Sequence, residues 1–367
     1  MNQRDSTVRR ASTRPSQVAT IKDVAAEAGV STATVSRVMS SPNGVTRRAR
    51  ERVMRAVGKL DYHANRLARH LRAGRRKVIG VIIPDLQNPF FPGVVHGVEA
   101  VLYTAGYTLM LGHSDGLAER EQRHMAVLRG EGAAGLVLIP DNGPGASYEP
   151  LQSWDIPVVA VDRRPRHLQV DLVTTSNREG VREAVAHLIS HGYKDIALIG
   201  GPPGLSVSQE RLAGYQEALR AARLPLPEAF VVAGDFRQES GRLAMTRLLA
   251  LPKPPRAVLS ANNLMTLGAL ETIHEQGLRI PEDVAVIGFD DMSWAASLRP
   301  SLTAVVQPDE ELGRAAAQLL LERIKDPTRL TRHIVLPTRL TIRASCGPHA
   351  LPGVKGARPA GPTRPRP

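Results

Sequence analysis

The stretch TIKDVAAEAGVSTATVSRVMS, residues 20–40, spells two short helices and the turn between them. Thr20 carries the hydroxyl of a helix N-cap, and Asp23 three residues on completes a variant capping box. Ile21, Val24, Ala25 and Ala28 recur at i, i+3, i+4 and i+7, one apolar stripe on a two-turn helix. Gly29 permits a tight turn, and Ser31 is placed to cap a second helix in which Val35 and Val38 face inward. Thr32, Ala33, Thr34, Ser36 and Arg37 are left outward or near its N-terminus. That is the helix-turn-helix pattern, whose second helix enters the major groove. Hydroxyls such as those of Thr20, Ser31, Thr34 and Ser36 suit phosphate, and Thr32 and Ala33 offer methyl contacts or a single hydrogen bond. Arg37 is the first candidate to read a base, because arginine makes a bidentate contact to guanine. The alternative is a plain αα-hairpin with a solvated polar face.

The charge distribution weighs against that alternative. Residues 1–77 hold 18 Lys/Arg against 5 Asp/Glu, a surplus of 13, whereas residues 78–346 hold 26 against 30 and residues 347–367 hold 4 against none. A basic end on a near-neutral body suits a polyanion, since cationic side chains displace counterions condensed on phosphates; a merely solubilising tail is the competing account. A third helix is predicted from Thr46, with Ala49, Val53, Ala56, Val57 and Leu60 on one face, so residues 19–62 form an all-α domain. Next, in YHANRLARHLRAGRRK, Asn65 is placed to cap a short basic helix bearing Leu67, Ala68 and Leu71. A helix of that length is unstable alone and is expected to order only on DNA or a partner.

At 367 residues the chain exceeds what one hydrophobic core organises, and 42% apolar with 23% charged residues excludes wholesale disorder. Cys346 is the single cysteine, so no internal disulfide forms. Residues 1–18 and 347–367, rich in Arg, Pro, Ser or Gly and without periodicity, are expected to be disordered tails. No leader-like apolar stretch follows the basic N-terminus and none of about 18 residues occurs later, which predicts a cytoplasmic protein with no membrane partner.

From residue 78 to 346 short β-branched runs alternate with helix-period segments. Strands are predicted at 78–83, 108–111, 135–139, 158–161, 196–199, 231–233, 257–259 and 284–289, and helices at about 93–105, 118–130, 179–191, 211–222, 239–250 and 264–276. Such alternation demands parallel strands with helices on both faces, and about 270 residues suit two Rossmann-like lobes with a cleft at the carboxyl ends of the strands. The loop PDLQNPFFPG after the first strand lacks GxGxxG but gathers a carboxylate, an amide and two aromatics, a set suited to a polyol. There Asp85 and Asn88 are candidates to bond hydroxyls, and Phe90 or Phe91 to pack on an apolar ring face, although either phenylalanine serves equally as core.

In order and spacing, the first stretch together with ANRLARHL, VIGVIIPDLQNPFFPGVVHGVE, RLAGYQEAL, ANNLMTLGAL and VIGFDD resembles the lactose-repressor (LacI/GalR) family over residues 19–346. The resemblance implies a helix-turn-helix domain followed by a two-lobed type I domain like periplasmic binding proteins. It also implies a hinge helix and linker over residues 63–77, with Leu71 as the wedge that enters the minor groove and kinks the duplex. Many members carry proline where this chain has Ala64. By the same likeness Ser114, Arg163, Arg211, Phe236, Asn262 and Asp290 occupy ligand-binding positions, with Arg182 a weaker candidate. Two of these have structural alternatives: Asp290, next to Asp291, can cap a helix, and Arg211 can tie two loops together. Leu205 and Val207 stand where the purine-responsive member has a cation and a hydroxyl, so a sugar or sugar derivative is the expected effector.

The function implied is repression by operator binding, modulated by that effector, in a homodimer. The Pro- and Arg-rich tail cannot form the leucine heptad of the family's tetramers. No cofactor or metal is called for. GGPPG at 200–204 lacks a following GK[ST], and His187 and His191, four apart on a predicted helix, have no third ligand in view. With no coherent nucleophile, metal or cofactor motif, no enzyme is expected, and a free solute-binding protein would not need residues 20–72.

Overall fold

The computed structural model describes residues 20–40, 46–60, 77–143, 145–154 and 156–347. The hinge segment with Asn65 and Leu71, and both tails apart from Gly347, lie outside the described residues. The chain forms two compact units, residues 1–75 and 76–367.

The first unit holds α1 (Ile21–Ala28), α2 (Thr32–Ser40) and α3 (Arg47–Lys59). Thr20 and Asp23 form the reciprocal capping box, and Gly29 closes α1 at φ 58°, the left-handed turn that glycine adopts without a Cβ penalty. Val24, Ala25, Ala28, Val35, Val38, Val53 and Ala56 are the buried core, with Ile21, Val57 and Leu60 packed against it. Thr46 precedes α3 but makes no side-chain cap bond.

The second unit is built from two six-stranded sheets. Lobe 1 contains β1 (Val78–Ile83), α4 (Phe90–Thr104), β2 (Thr108–His113), α5 (Ala118–Gly130), β3 (Gly135–Leu138), the single turn α6 (Glu149–Gln152), β4 (Val158–Val161) and β5 (Asp171–Thr175). Lobe 2 follows with α7 (Asn177–Ser190), β6 (Ile196–Gly200), α8 (Ser206–Ala221), β7 (Val231–Ala233), α9 (Gln238–Leu249), β8 (Ala257–Ser260), α10 (Asn263–Glu275), β9 (Ala285–Phe289) and β10 (Thr303–Val306). The chain then returns to lobe 1 for α11 (Asp309–Lys325) and β11 (His333–Leu336), and ends in lobe 2 with β12 (Arg339–Thr341). The strand orders are β11-β5-β4-β3-β1-β2 and β12-β10-β9-β8-β6-β7, and β1, β3, β4, β8 and β9 are buried almost throughout.

The eight predicted strands and six predicted helices are present, several with ends moved by a few residues. The structure adds β5, α6 and everything from β10 onward. The sheets are parallel as expected but for one short edge strand, β12, which pairs antiparallel with β10. The reason is the route: β10 runs toward the cleft, whereas β12 begins immediately after the chain recrosses at Pro337–Thr338 and must run away from it. Helix pairs cover the sheets at close approach. An added Cβ on Gly97 would collide with the backbone of Glu310 in α11, and one on Gly313 with that of Val94 in α4. Among the described residues no helix is long and apolar enough to cross a membrane.

Candidate functional site

In the first unit, α2 presents Thr32, Ala33, Ser36 and Arg37 as exposed side chains while Thr34 is half-buried. Ser31 caps the helix: its hydroxyl accepts from Thr34 N at 3.1 Å and lies 2.9 Å from the Thr34 hydroxyl. Arg52, which the sequence pattern does not single out, supports the turn between the two helices. Its Nε donates to Ala28 O at 2.9 Å and its Nη2 to Gly29 O at 2.5 Å, which pins the turn that sets the angle between α1 and α2. No spacing rule would have found it, because the contact spans more than twenty residues.

In the second unit, a cavity of about 770 Å³ opens between the lobes at the carboxyl ends of their strands, where open α/β sheets bind ligands. Of the candidates, Asp85, Asn88, Phe90, Phe91, Arg163, Arg211, Phe236, Asn262 and Asp290 line it. Ser114 does not; it is fully buried and its hydroxyl donates to Ile83 O at 3.3 Å. Arg182 is exposed on α7 and is not in the lining either. Leu205 and Val207 do line it, both buried.

The alternatives weighed for these residues resolve individually. Phe90 and Phe91 form an edge-to-face pair, centroids 5.2 Å apart, and belong to the lobe 1 core as well as to the cavity wall. Asp290 caps no helix; its Oδ1 accepts from Gln307 Nε2 at 2.6 Å. Arg211 does tie loops, donating to Asn177 Oδ1 at 2.8 Å and to Ala261 O at 2.5 Å, while its guanidinium stacks 3.7 Å from the Phe289 centroid. Asn262 caps α10 through Met265 N and donates to Phe236 O at 2.9 Å, so it orients the aromatic wall. Asn88 accepts from Phe90 N and, across the cleft, from Asn263 Nδ2 at 2.9 Å.

Several lining residues went unnoticed in the sequence, among them Asp115, Asp141, Asn142, Asp162, Arg166, Asp235, Arg237 and Gln307. Backbone conformation marks some of them. Among the described residues seven that are not glycine have positive φ, and five of these, Asp115, Asn142, Asp162, Phe236 and Asp290, line the cavity. Such conformations cost energy and collect where a site needs a side chain aimed out of register with its strand. Burial dominates the electrostatics. It pushes the Asp290 carboxyl up to about 6 against the opposing pull of Arg211 and Gln307, and it pushes Asp162 and Asp141 up as well. Arg163 Nε, 3.3 Å from Asp162 Oδ2, is buried without a hydrogen-bond partner, as is Asp141 Oδ2. Buried donors and acceptors left in this state are groups a ligand can satisfy. Among the described residues no group of His, Cys, Asp and Glu is placed to hold a metal ion.

Comparison with known proteins matches residues 20–65 to bacterial regulatory proteins of the lacI family and residues 185–346 to a periplasmic binding protein-like domain. The chain is 35% identical over 327 residues to an HTH-type transcriptional repressor PurR of Vibrio campbellii, covering 89% of this chain and 98% of that protein. It is 35% identical over 329 residues to the ribose operon repressor of Escherichia coli K12, covering 89% and 100%. Its fold is similar to the lac repressor dimer bound to operator and the anti-inducer ONPF, with TM-score 0.77, 27% identity, and coverage of 90% and 100%.

Proposed function

The chain belongs to the lacI family of bacterial regulatory proteins, and on that premise we propose that it is a repressor, binding operator DNA as a homodimer and releasing or gripping it according to whether a sugar or sugar derivative occupies the cavity between its lobes. The observation that carries the effector half is the convergence of buried aspartates, arginines and Asn88 with three phenylalanines on one cavity fed from both lobes. Hydroxyls need such acceptors and donors, and the apolar faces of a sugar ring need such aromatics. The ribose operon repressor among its relatives points the same way. Against the purine alternative that the relatives named PurR raise stand Leu205 and Val207, which put apolar surface on the wall and which, by the family resemblance, replace a cation and a hydroxyl of the purine-responsive member.

For the DNA half, Arg37 reads a base edge while Thr20, Ser31, Thr32, Ala33, Thr34 and Ser36 supply phosphate and methyl contacts. Two such units in a dimer meet the half-sites of a near-palindromic operator. Asn65 and Leu71 complete the DNA contacts as hinge cap and wedge. Ligand binding and DNA binding are linked reciprocally: whatever factor the sugar applies to operator affinity, operator applies to sugar affinity.

The effector half is tested by calorimetric titration with D-ribose, other neutral aldoses, disaccharides, hypoxanthine and guanine. A neutral sugar is expected to bind the native chain and to bind at least tenfold more weakly to Arg163→Ala, which leaves buried Asp162 without its cation, and to Asp290→Asn, which removes the charge facing buried Arg211. Binding of a purine base with no response to any sugar would refute it.

A further inference from the structure

Two neighbouring N–H groups after β3 are held from behind the cavity. Asp141 N donates to Glu121 Oε1 at 3.1 Å; Asn142 N donates to the Tyr148 hydroxyl at 3.1 Å, which donates in turn to Glu121 Oε2 at 3.0 Å. Glu121, in α5, is fully buried yet is no part of the cavity wall, whereas Asp141 and Asn142 both are. Asn142 then passes the constraint on: its Nδ2 donates to Arg164 O at 2.8 Å and its Oδ1 accepts from Arg166 N at 3.2 Å, so the loop after β3 is fastened to the loop after β4 that carries Arg163 and Arg166.

We propose that Glu121 is a positioning residue for the effector site: by accepting from Asp141 N and the Tyr148 hydroxyl together, its carboxylate fixes the loop after β3 so that Asp141, Asn142 and, through them, the Arg163 loop face the ligand. The ligand arm of this proposal rests on the effector reading above. A buried carboxylate is costly, and a packed apolar side chain would serve stability better. What the carboxylate alone offers is acceptor capacity on both oxygens. The neutral acid carries a hydroxyl that must donate, so protonation gives up one of the two holds. Burial and the charge of Asp141 push the Glu121 carboxyl up to about 7. The groups that face it are Asp141 after β3, Tyr148 before α6 and Arg163 after β4, with His113 and Asp115 facing Asp141 from the end of β2. The hold therefore tightens as pH rises through neutrality.

Full-length wild type, Glu121→Gln and Tyr148→Phe are titrated with D-ribose and the neutral sugar panel between pH 5.5 and 8.5, with thermal midpoints recorded to establish folding. The expected result is a wild-type affinity that rises through pH 7, a Glu121→Gln affinity about tenfold weaker at pH 8 and lacking the step near pH 7, and a Tyr148→Phe affinity weakened to a similar extent. Folded Glu121→Gln with wild-type affinity at every pH overturns the proposal. Amide exchange of the ligand-free chains gives an arm independent of effector identity. Protection of the Asp141 and Asn142 amides is expected to step up through pH 7 in the wild type and to be weak throughout in Glu121→Gln; identical protection in both overturns the proposal. If no sugar binds the wild type, the sugar reading fails and the exchange arm alone decides this one.

Discussion

Arg237, from lobe 2, donates through Nη2 to the main-chain oxygen of Asp115 in lobe 1 at 3.1 Å and to its Oδ1 at 3.0 Å, closing the rim of the cleft. Asp115 is held for this at φ 57°, and the Arg237 hydrogen bond keeps its carboxyl below the usual range. Both side chains are partly exposed, so the pair is worth about 0.2–1 kcal/mol and is screened by salt. Arg237→Ala is expected to raise the sugar dissociation rate about twofold to fivefold at low ionic strength and less at high. Stopped-flow measurement across a salt series checks this; a rate indifferent to the substitution means the contact does not hold the closed lobes.

Arg211 faces a harsher balance, because it is buried between Asp162 and Asp290. Arg211→Met removes the cation and leaves Asp290 with Gln307 alone and Asp162 with Arg163 alone to offset their burial, a loss of about 3–5 kcal/mol of stability at pH 8. Burial and the missing arginine both favour the neutral acids, so the deficit should shrink as pH falls through about 6, where Asp290 takes up its proton. Urea unfolding at pH 8 and pH 5 measures the difference, and an equal deficit at both would rule out this origin.

Glu121 makes a stability prediction of opposite sense to its role in binding. Its carboxyl stands near 4.5 in the unfolded chain and near 7 in the folded one, so the folded state holds the extra proton between those values. Its contribution is fully present below 4.5 and is lost as pH rises through 7, a swing of about 3 kcal/mol. Glu121→Gln should therefore gain on the wild type between pH 5 and pH 8 in urea unfolding, even as it loses sugar affinity. A variant destabilised equally at both values would contradict the assignment.

In the first unit Arg52 supports the turn at Gly29 through two carbonyls, one from α1 and one from the turn. Arg52→Ala leaves those oxygens to water and should destabilise the helix-turn-helix by about 1–2 kcal/mol, since bonds to a charged donor are the stronger ones. DNA affinity should fall with sugar affinity unchanged. Fluorescence anisotropy and calorimetry on one preparation separate the two; a matched loss in both would implicate general unfolding.

The local signals were those most legible in the sequence. The capping box at Thr20 and Asp23, the stripe from Ile21 to Ala28 and the strand VIGVII at 78–83 each follow from neighbours within a turn or two of chain. Helix α11 carries its own signal, with Asp309, Glu310 and Glu311 in its first turn and Arg323 and Lys325 in its last, although the helices predicted from the sequence end at residue 276. Strands β11 and β12 carry little periodicity because each is a short, partly exposed edge strand. The site was legible where a strand ended in a recognisable motif, as at Phe90 and Asp290. It was illegible where function depends on contacts across the chain: Asp115 with Arg237, Asn88 with Asn263, Asp141 with Glu121. Ser114, a polar residue at a strand end, is buried outside the cavity wall with its hydroxyl bonded to Ile83 O, a placement its neighbours in sequence do not signal.

In the proposed function one chain reads DNA through α2 and is regulated through the cavity. This is tested most directly by measuring binding of the purified protein to fragments of its own upstream DNA at fixed salt, with and without the sugar panel, alongside Arg37→Ala. The expected result is specific binding by the wild type that one sugar shifts, and binding at least tenfold weaker in Arg37→Ala, which still takes up that sugar normally. Absence of specific binding at every salt concentration, with the sugar still bound, would contradict it.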